Sequence, residues 1–173
     1  MFALSEERGT KMSEVTDHLT ACGVEFETIR QEPTISSIEE ARALGVDADD
    51  VLKALLVTTA GNHHVLVVLP ASRKVNIHRL REALDDSHAH LSTEGELQGM
   101  FPNVELGALP PLGSLLDVPT YADKTILDHA TVVFAGGRRD ESIRMRPAEL
   151  NRTGSLHWVE VSGDEDPVDV STS

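Results

Sequence analysis

The sequence predicts an α+β fold, a single compact domain with a mixed, barrel-like β-sheet and flanking helices. Three observations carry that expectation. The chain has 173 residues, enough for one domain to bury about 70% of its unfolded surface without disulfides or metals. Two β-rich runs, 51–59 and 64–70, are joined by Ala60-Gly61-Asn62-His63 and read as an antiparallel hairpin. Capped helical segments stand between the remaining strand-like runs, an order that argues an α+β domain around a largely antiparallel or mixed sheet.

The elements follow in order. Met12, Val15, Leu19 and Cys22 recur at helical spacing, with Gly23 as a stop signal. Residues 26–30 read as a short strand. Ser36 and Ser37 each precede a glutamate by three residues (Glu39 and Glu40), two overlapping capping boxes that open a helix closed by Gly45. After the hairpin, Asn76 can cap a helix that turns Ile77, Leu80 and Leu84 inward. Thr93 and Glu96 form a third capping box. Residues 102–119, rich in Gly, Pro and Leu without periodicity, read as an ordered loop. Strand-like runs at 131–135, 142–145 and 156–161 follow, with a helical turn at 147–151 begun by Pro147. The domain is expected over 12–162, with a flexible extension at 1–11 and a disordered acidic tail at 163–173.

Composition narrows the function. Hydrophobic residues make up 40% of the chain and aromatics 3%, so the core must be aliphatic and a base-stacking RNA module is disfavoured. One cysteine excludes an internal disulfide and a CxxC metal site. The apolar stretches are far shorter than a bilayer span, and no basic-then-apolar leader opens the chain, so a cytoplasmic protein without a membrane partner is expected. Net charge is −14, which repels phosphate from the surface as a whole. Two islands depart from that background. Residues 73–81 hold Arg73, Lys74, Arg79 and Arg81 with no acid, and 138–152 hold Arg138, Arg139, Arg144, Arg146 and Arg152. Either is a solvated face or a phosphate-facing patch.

Lys53 is the sharpest single residue. It is the one polar side chain in Val51–Val57, and on a strand it shares a face with Leu55 and Val57. A buried ammonium needs a partner or a task, and the alternative is a lysine snorkelling to water. Gly107-Ala108-Leu109-Pro110-Pro111-Leu112-Gly113 is either a rigid connection or a loop that presents backbone amides to a ligand. It is neither a Walker A motif nor a dinucleotide fingerprint, and no cofactor is expected. Phe134-Ala135-Gly136-Gly137-Arg138-Arg139 allows close approach of a ligand, or makes a plain hairpin turn. His88 and His90 are a conceivable metal pair, but no HExxH or carboxylate-supported cluster accompanies them. Cys22 fits a helix's inward face better than a nucleophile. No GxSxG pattern is present.

Taken in order, Glu32-Pro33, Ser37–Ala41, Leu44–Val46, Val51–Leu55, Leu69–Ala71, Val75-Asn76, the GxxxP loop 107–111 with Gly113, and Phe134–Gly137 resemble the YbaK/prolyl-tRNA synthetase editing-domain family over about residues 13–152. The resemblance implies a trans-editing hydrolase that cleaves the ester between a wrong amino acid and the terminal adenosine of tRNA. Lys53 matches that family's lysine and is the implied catalytic residue. Gly107, Ala108, Leu109, Pro110, Pro111, Gly113 and Gly136 match its substrate-binding positions. Arg73, Lys74, Arg138 and Arg139 are the candidate contacts to the tRNA acceptor end, with an aminoacyl-tRNA synthetase as a further partner and no metal. Two positions depart from the pattern. Synthetase-embedded members carry a histidine where Glu141 or Ser142 stands, and many members have a small hydroxyl residue at Ala54. Two other readings stand beside this one: a non-catalytic module of the same fold that binds a nucleotide, amino acid or protein, and a metal hydrolase built on His88 and His90.

Overall fold

A computed structural model describes residues 14–105 and 107–163. The expected extension 1–11, and all of the expected tail beyond Gly163, lie outside the described residues. Two sheets form the frame. A three-stranded sheet has the order β1-β7-β6, with β1 at Glu27–Arg30, β6 at Val132–Ala135 and β7 at Glu141–Met145. A five-stranded sheet has the order β4-β2-β3-β5-β8, with β2 at Leu52–Thr59, β3 at His63–Pro70, β4 at His90–Leu91, β5 at Thr120–Asp123 and β8 at Leu156–Val159. The β3–β5 and β5–β8 pairs are parallel and the other pairs antiparallel, so the sheet is mixed as expected.

The hairpin forms in full register from Leu52 opposite Pro70 to Thr59 opposite His63. Its turn needs left-handed backbone at Gly61 (φ 76°) and Asn62 (φ 61°), which these two residue types adopt at least cost. Side chains alternate along the hairpin. Leu52, Leu66 and Val68 enter one cluster with Leu19, Phe134, Ile143 and Leu150. Val57, Val65, Val67 and Leu69 enter another with Val75, Leu80 and Val161. Phe134 is the one aromatic among the largest fully buried side chains. Each such aliphatic contributes about 1.5–3 kcal/mol.

The helices α1 (residues 14–21), α2 (Ser37–Leu44), α3 (Ile77–Leu84), α4 (Glu94–Met100) and α5 (Gly113–Leu116) flank the sheets. Asn76 caps α3 by accepting from the Arg79 amide at 3.1 Å. The Thr93–Glu96 capping box on α4 closes in both directions. On α2 neither expected box closes in both directions, because the Glu39 carboxylate accepts from the Ile35 amide rather than from Ser36. Ser36 accepts from the Glu39 amide at 3.2 Å, while Glu40 turns into the protein and meets the Ser142 hydroxyl.

The barrel-like closure does not occur. Among the described residues the two sheets share the core of side chains but are joined in backbone pairing through one parallel bridge, Val51 to Val133. Beyond that bridge β2 gains β4 only at Val57 and Thr58. The edge of β2 near residues 53–55 therefore faces a gap where a closed barrel would have a paired strand.

Candidate active site

That gap is a cleft of about 380 Å³. Lys53, Ala54 and Leu55 on β2 form its floor, and Ser36, Ser37 and Ile38 at the start of α2 form one side. Gly107 and Leu109 supply the loop side, Glu94 and Leu97 on α4 another, and Ala71 and Ala135 complete the lining. The structure thus brings Lys53 and the glycine-proline loop together.

Lys53 lies opposite Leu69 in the hairpin and is half-buried, its Nζ 3.5 Å from the Ala71 carbonyl oxygen. Burial, and then repulsion from Lys74, holds its amine below the usual lysine range. Backbone alternation also matters here. Ala71 donates to the Val51 carbonyl at 2.7 Å, and Ser92 donates to the Leu56 carbonyl at 2.9 Å. Odd residues of β2 therefore bond to β3, and even residues aim their amides and carbonyls at the other edge. Ala54 accordingly presents backbone, rather than a hydroxyl, to the cleft.

Gly107 is required by its contact. It has φ +80°, and a Cβ there would lie 2.2 Å from the Ile35 carbonyl oxygen. The loop is thereby pressed onto the residue just before the Ser36 cap, fastening two walls of the cleft together. The rest of the loop is buried support. Ala108, Leu109, Pro110, Pro111, Leu112 and Gly113 are all buried, and the Ala108 amide already donates to the Glu105 carbonyl at 3.0 Å. Pro110 faces a separate hollow of about 320 Å³ with Val15, Phe101 and Leu116. A Cβ on Gly113 would lie 1.7 Å from Thr120 Oγ1, so this glycine fits α5 against β5.

Of the late-strand positions, Ala135 lines the cleft and Gly136 does not; Gly136 donates its amide to the Glu141 carbonyl at 3.2 Å. Neither residue at the departed histidine position enters the cleft. Glu141 pairs with Arg30 at 2.8 Å, and Ser142 is buried against Glu40 and Gln31. Burial pushes the Glu40 carboxyl up to about 7, with the Ser142 hydrogen bond opposing that shift.

The two basic islands differ. Arg138 pairs with Asp140 at 3.0 Å, Arg139 with Glu105 at 3.3 Å, Arg146 with Glu25 at 3.3 Å and Arg152 with Glu149 at 3.5 Å. In the other island, Lys74 makes no ion pair among the described residues, and Arg73 donates to the Ser162 hydroxyl at 2.6 Å. His90 Nδ1 sits 3.0 Å from the His88 carbonyl oxygen, and the described residues contain no group of three or more His, Cys, Asp or Glu able to hold a metal. No helix among the described residues is long and apolar enough to cross a membrane.

Ser36, Ser37, Glu94 and Leu97 are among the lining residues that the sequence does not single out as a site. Their one local signal is the pair of helix caps, which fixes where α2 and α4 begin but not that both starts face Lys53.

The architecture defines a known class of α+β domain. It superposes on the crystal structure of the hypothetical protein APE2540 with a TM-score of 0.79, at 24% identity, covering 87% of this chain and 99% of that one. A proposed trans-editing enzyme for prolyl-tRNA synthetase superposes with a TM-score of 0.78 at 18% identity, covering 89% and 98%. In sequence, the chain is 25% identical over 155 residues to the uncharacterized protein YwhH of Bacillus subtilis, covering 88% of this chain and 98% of that one. It is 26% identical over 109 residues to a proline–tRNA ligase of Pelobacter propionicus, 62% of this chain but 19% of the ligase. Residues 32–153 match the model of the aminoacyl-tRNA editing domain. This protein belongs to the aminoacyl-tRNA editing domain family.

Proposed function

We propose that the cleft deacylates mischarged aminoacyl-tRNA, with Lys53 as its catalytic residue. The observation that carries this reading is the half-buried Lys53 amine in one cleft with Gly107 and Leu109, in a chain of the editing family. An aminoacyl ester is already activated, so it needs a positioned water and a stabilised oxyanion rather than a strong nucleophile. Water attacks the carbonyl carbon, the bond to the ribose oxygen breaks, and that oxygen leaves with a proton. Free amino acid and a tRNA with both terminal hydroxyls result. Lys53 holds the ester carbonyl or the adjoining phosphate, and the vicinal ribose hydroxyl assists the water. The Ala108 amide is committed to Glu105, which leaves Gly107, Leu109 and Ala54 as the backbone positions facing the substrate.

Selection of the amino acid is steric. Leu55, Leu97 and Leu109 bound the cleft, and one methylene is worth only about 1–3 kcal/mol in such a site, so small amino acids overlap. The acceptor end approaches over Arg73 and Lys74, and tRNA identity comes from a partner synthetase.

The test is a deacylation screen with Ala-, Ser-, Cys- and Pro-charged tRNAs. Lys53→Ala is expected to lose at least tenfold in rate, about 1.4 kcal/mol of transition-state stabilisation. Unchanged activity in that variant removes Lys53 from the mechanism. A wild-type protein that cleaves no charged tRNA leaves a binding module of the same fold.

A further inference from the structure

We propose that Glu94 recognises the α-ammonium group of the substrate, so that the cleft accepts esters of free amino acids and rejects N-acylated ones. This rests on the deacylase reading and narrows its substrate class. Among the described residues, Glu94 is the one carboxylate lining the cleft and Lys53 the one cation. They form no ion pair with each other, and Glu94 makes none with any other described residue.

The carboxylate stands on fixed backbone. Glu94 is the first residue of α4, in the turn closed by the Thr93–Glu96 capping box: the Glu96 amide donates to Thr93 Oγ1 at 3.1 Å, and the Thr93 amide to Glu96 Oε1 at 3.3 Å. Glu96 is itself tied to β2, accepting from the Thr58 hydroxyl at 2.9 Å. The start of α4 is therefore anchored to the strand that carries Lys53.

A cleft with an amine on its floor and a carboxylate on its wall matches an α-amino ester in one sense only. The carbonyl oxygen faces Lys53 and the ammonium faces Glu94. The reverse sense sets ammonium against amine and carbonyl dipole against carboxylate, and both contacts are repulsive. Two charged anchors, one on the carbonyl oxygen and one on the nitrogen of the adjoining α-carbon, thus fix the orientation in which the ester is presented to water. Acylation of the nitrogen removes the charge that Glu94 recognises and adds bulk on its side of the cleft. Formylated initiator and peptidyl esters would be spared by the same device that admits a mischarged amino acid.

The test measures binding of an amide-linked 3′-aminoacyl adenosine, which cannot be hydrolysed, with its amine free or acetylated. Wild-type protein is expected to bind the free amine at least tenfold more tightly. Glu94→Gln, isosteric and tolerated at an exposed helix start, should abolish most of that preference, and Glu94→Asp should restore part of it. Equal binding of the two ligands by wild type, or an undiminished preference in Glu94→Gln, overturns the proposal. Because the readout is binding, the two ideas fail separately. A Glu94-dependent preference without ester hydrolysis defeats the deacylase reading alone, and hydrolysis that ignores N-acetylation defeats the ammonium site alone.

Discussion

Two ionisable side chains sit where water cannot fully solvate them, and their environments act on them in opposite directions. Lys53 is held below the ordinary lysine range by burial and by Lys74. Replacing Lys74 with Ala should therefore raise the Lys53 pKa, which NMR titration of the labelled lysine can read; no change would mean that Lys74 contributes nothing to the field at the cleft. Glu40 is 2% exposed, and its carboxyl is raised to about 7 from 4.5. Folding thus favours the protonated form. The stabilisation is fully present below pH 4.5 and is lost as pH rises through 7. The shift corresponds to about 3 kcal/mol at most. Glu40→Gln keeps a partner for the Ser142 hydroxyl without the charge, so its urea stability should stay nearly flat between pH 5 and pH 8 while that of wild type falls. Parallel pH profiles would show that Glu40 is not the titrating group. The same pair explains a limit of sequence reading. Glu40 occupies a capping-box position, and only the packing of α2 over β7 reveals that it serves Ser142 instead.

Among the elements, the capped helices, the hairpin and the strands β1, β6, β7 and β8 were readable, while β4, β5 and the pairing of strands distant in sequence were not. Asn76, Thr93 and Ser36 cap the helices that their spacing announces, and the 51–70 hairpin forms because its two runs and turn all lie within one stretch of chain. By contrast β4 spans two residues, too short for any period, and β5 begins directly after the 102–119 stretch that shows none. Their strand character comes from partners distant in sequence, as with β5 lying parallel to both β3 and β8. Barrel closure fails for a related reason: one bridge at Val51 joins the sheets, and no local signal reports where such pairing stops. The site divides similarly. Lys53 stands out because it breaks an apolar run, and Gly107 because it opens a glycine-proline loop. Ser37, Glu94 and Leu97 look like ordinary cap and helix residues until the elements meet. The join between loop and α2 makes a prediction at this scale. A Cβ at Gly107 would meet the Ile35 carbonyl at 2.2 Å from a left-handed backbone, so Gly107→Ala should cost about 1–3 kcal/mol of stability. It should also lower deacylation more than folding loss explains, because the loop must leave α2. A variant with wild-type stability and activity would show that this contact does not hold the cleft together.

At the scale of the whole molecule, the problem is how a chain of net charge −14 receives a polyanion. General attraction is excluded, so contact must be confined to a place where cations are not already neutralised within the fold. Four of the five arginines of the 138–152 island fail that condition, since Arg138, Arg139, Arg146 and Arg152 each lie within 3.5 Å of a carboxylate oxygen of Asp140, Glu105, Glu25 and Glu149 respectively, and the fifth, Arg144, is partly buried within β7. Binding phosphate there would first require those pairs to open. Arg73 and Lys74 lie just beyond Ala71, which lines the cleft, and Lys74 is close enough to act on Lys53. Phosphates arriving over this pair would lead the terminal ribose to the Lys53 amine. Each phosphate contact releases counterions, so log K falls with log salt, by about 0.7 per contact on a single strand. Removing Arg73 and Lys74 together should weaken binding of a CCA-ended acceptor RNA at low salt and flatten that slope by roughly one to two units. Removing Arg138 and Arg139 should leave the slope within error of wild type, at some cost to the loop that Glu105 helps to hold. The reverse pattern, with the slope lost in the second pair and kept in the first, would route the RNA over the opposite side of the cleft and detach the basic island at 73–81 from substrate binding.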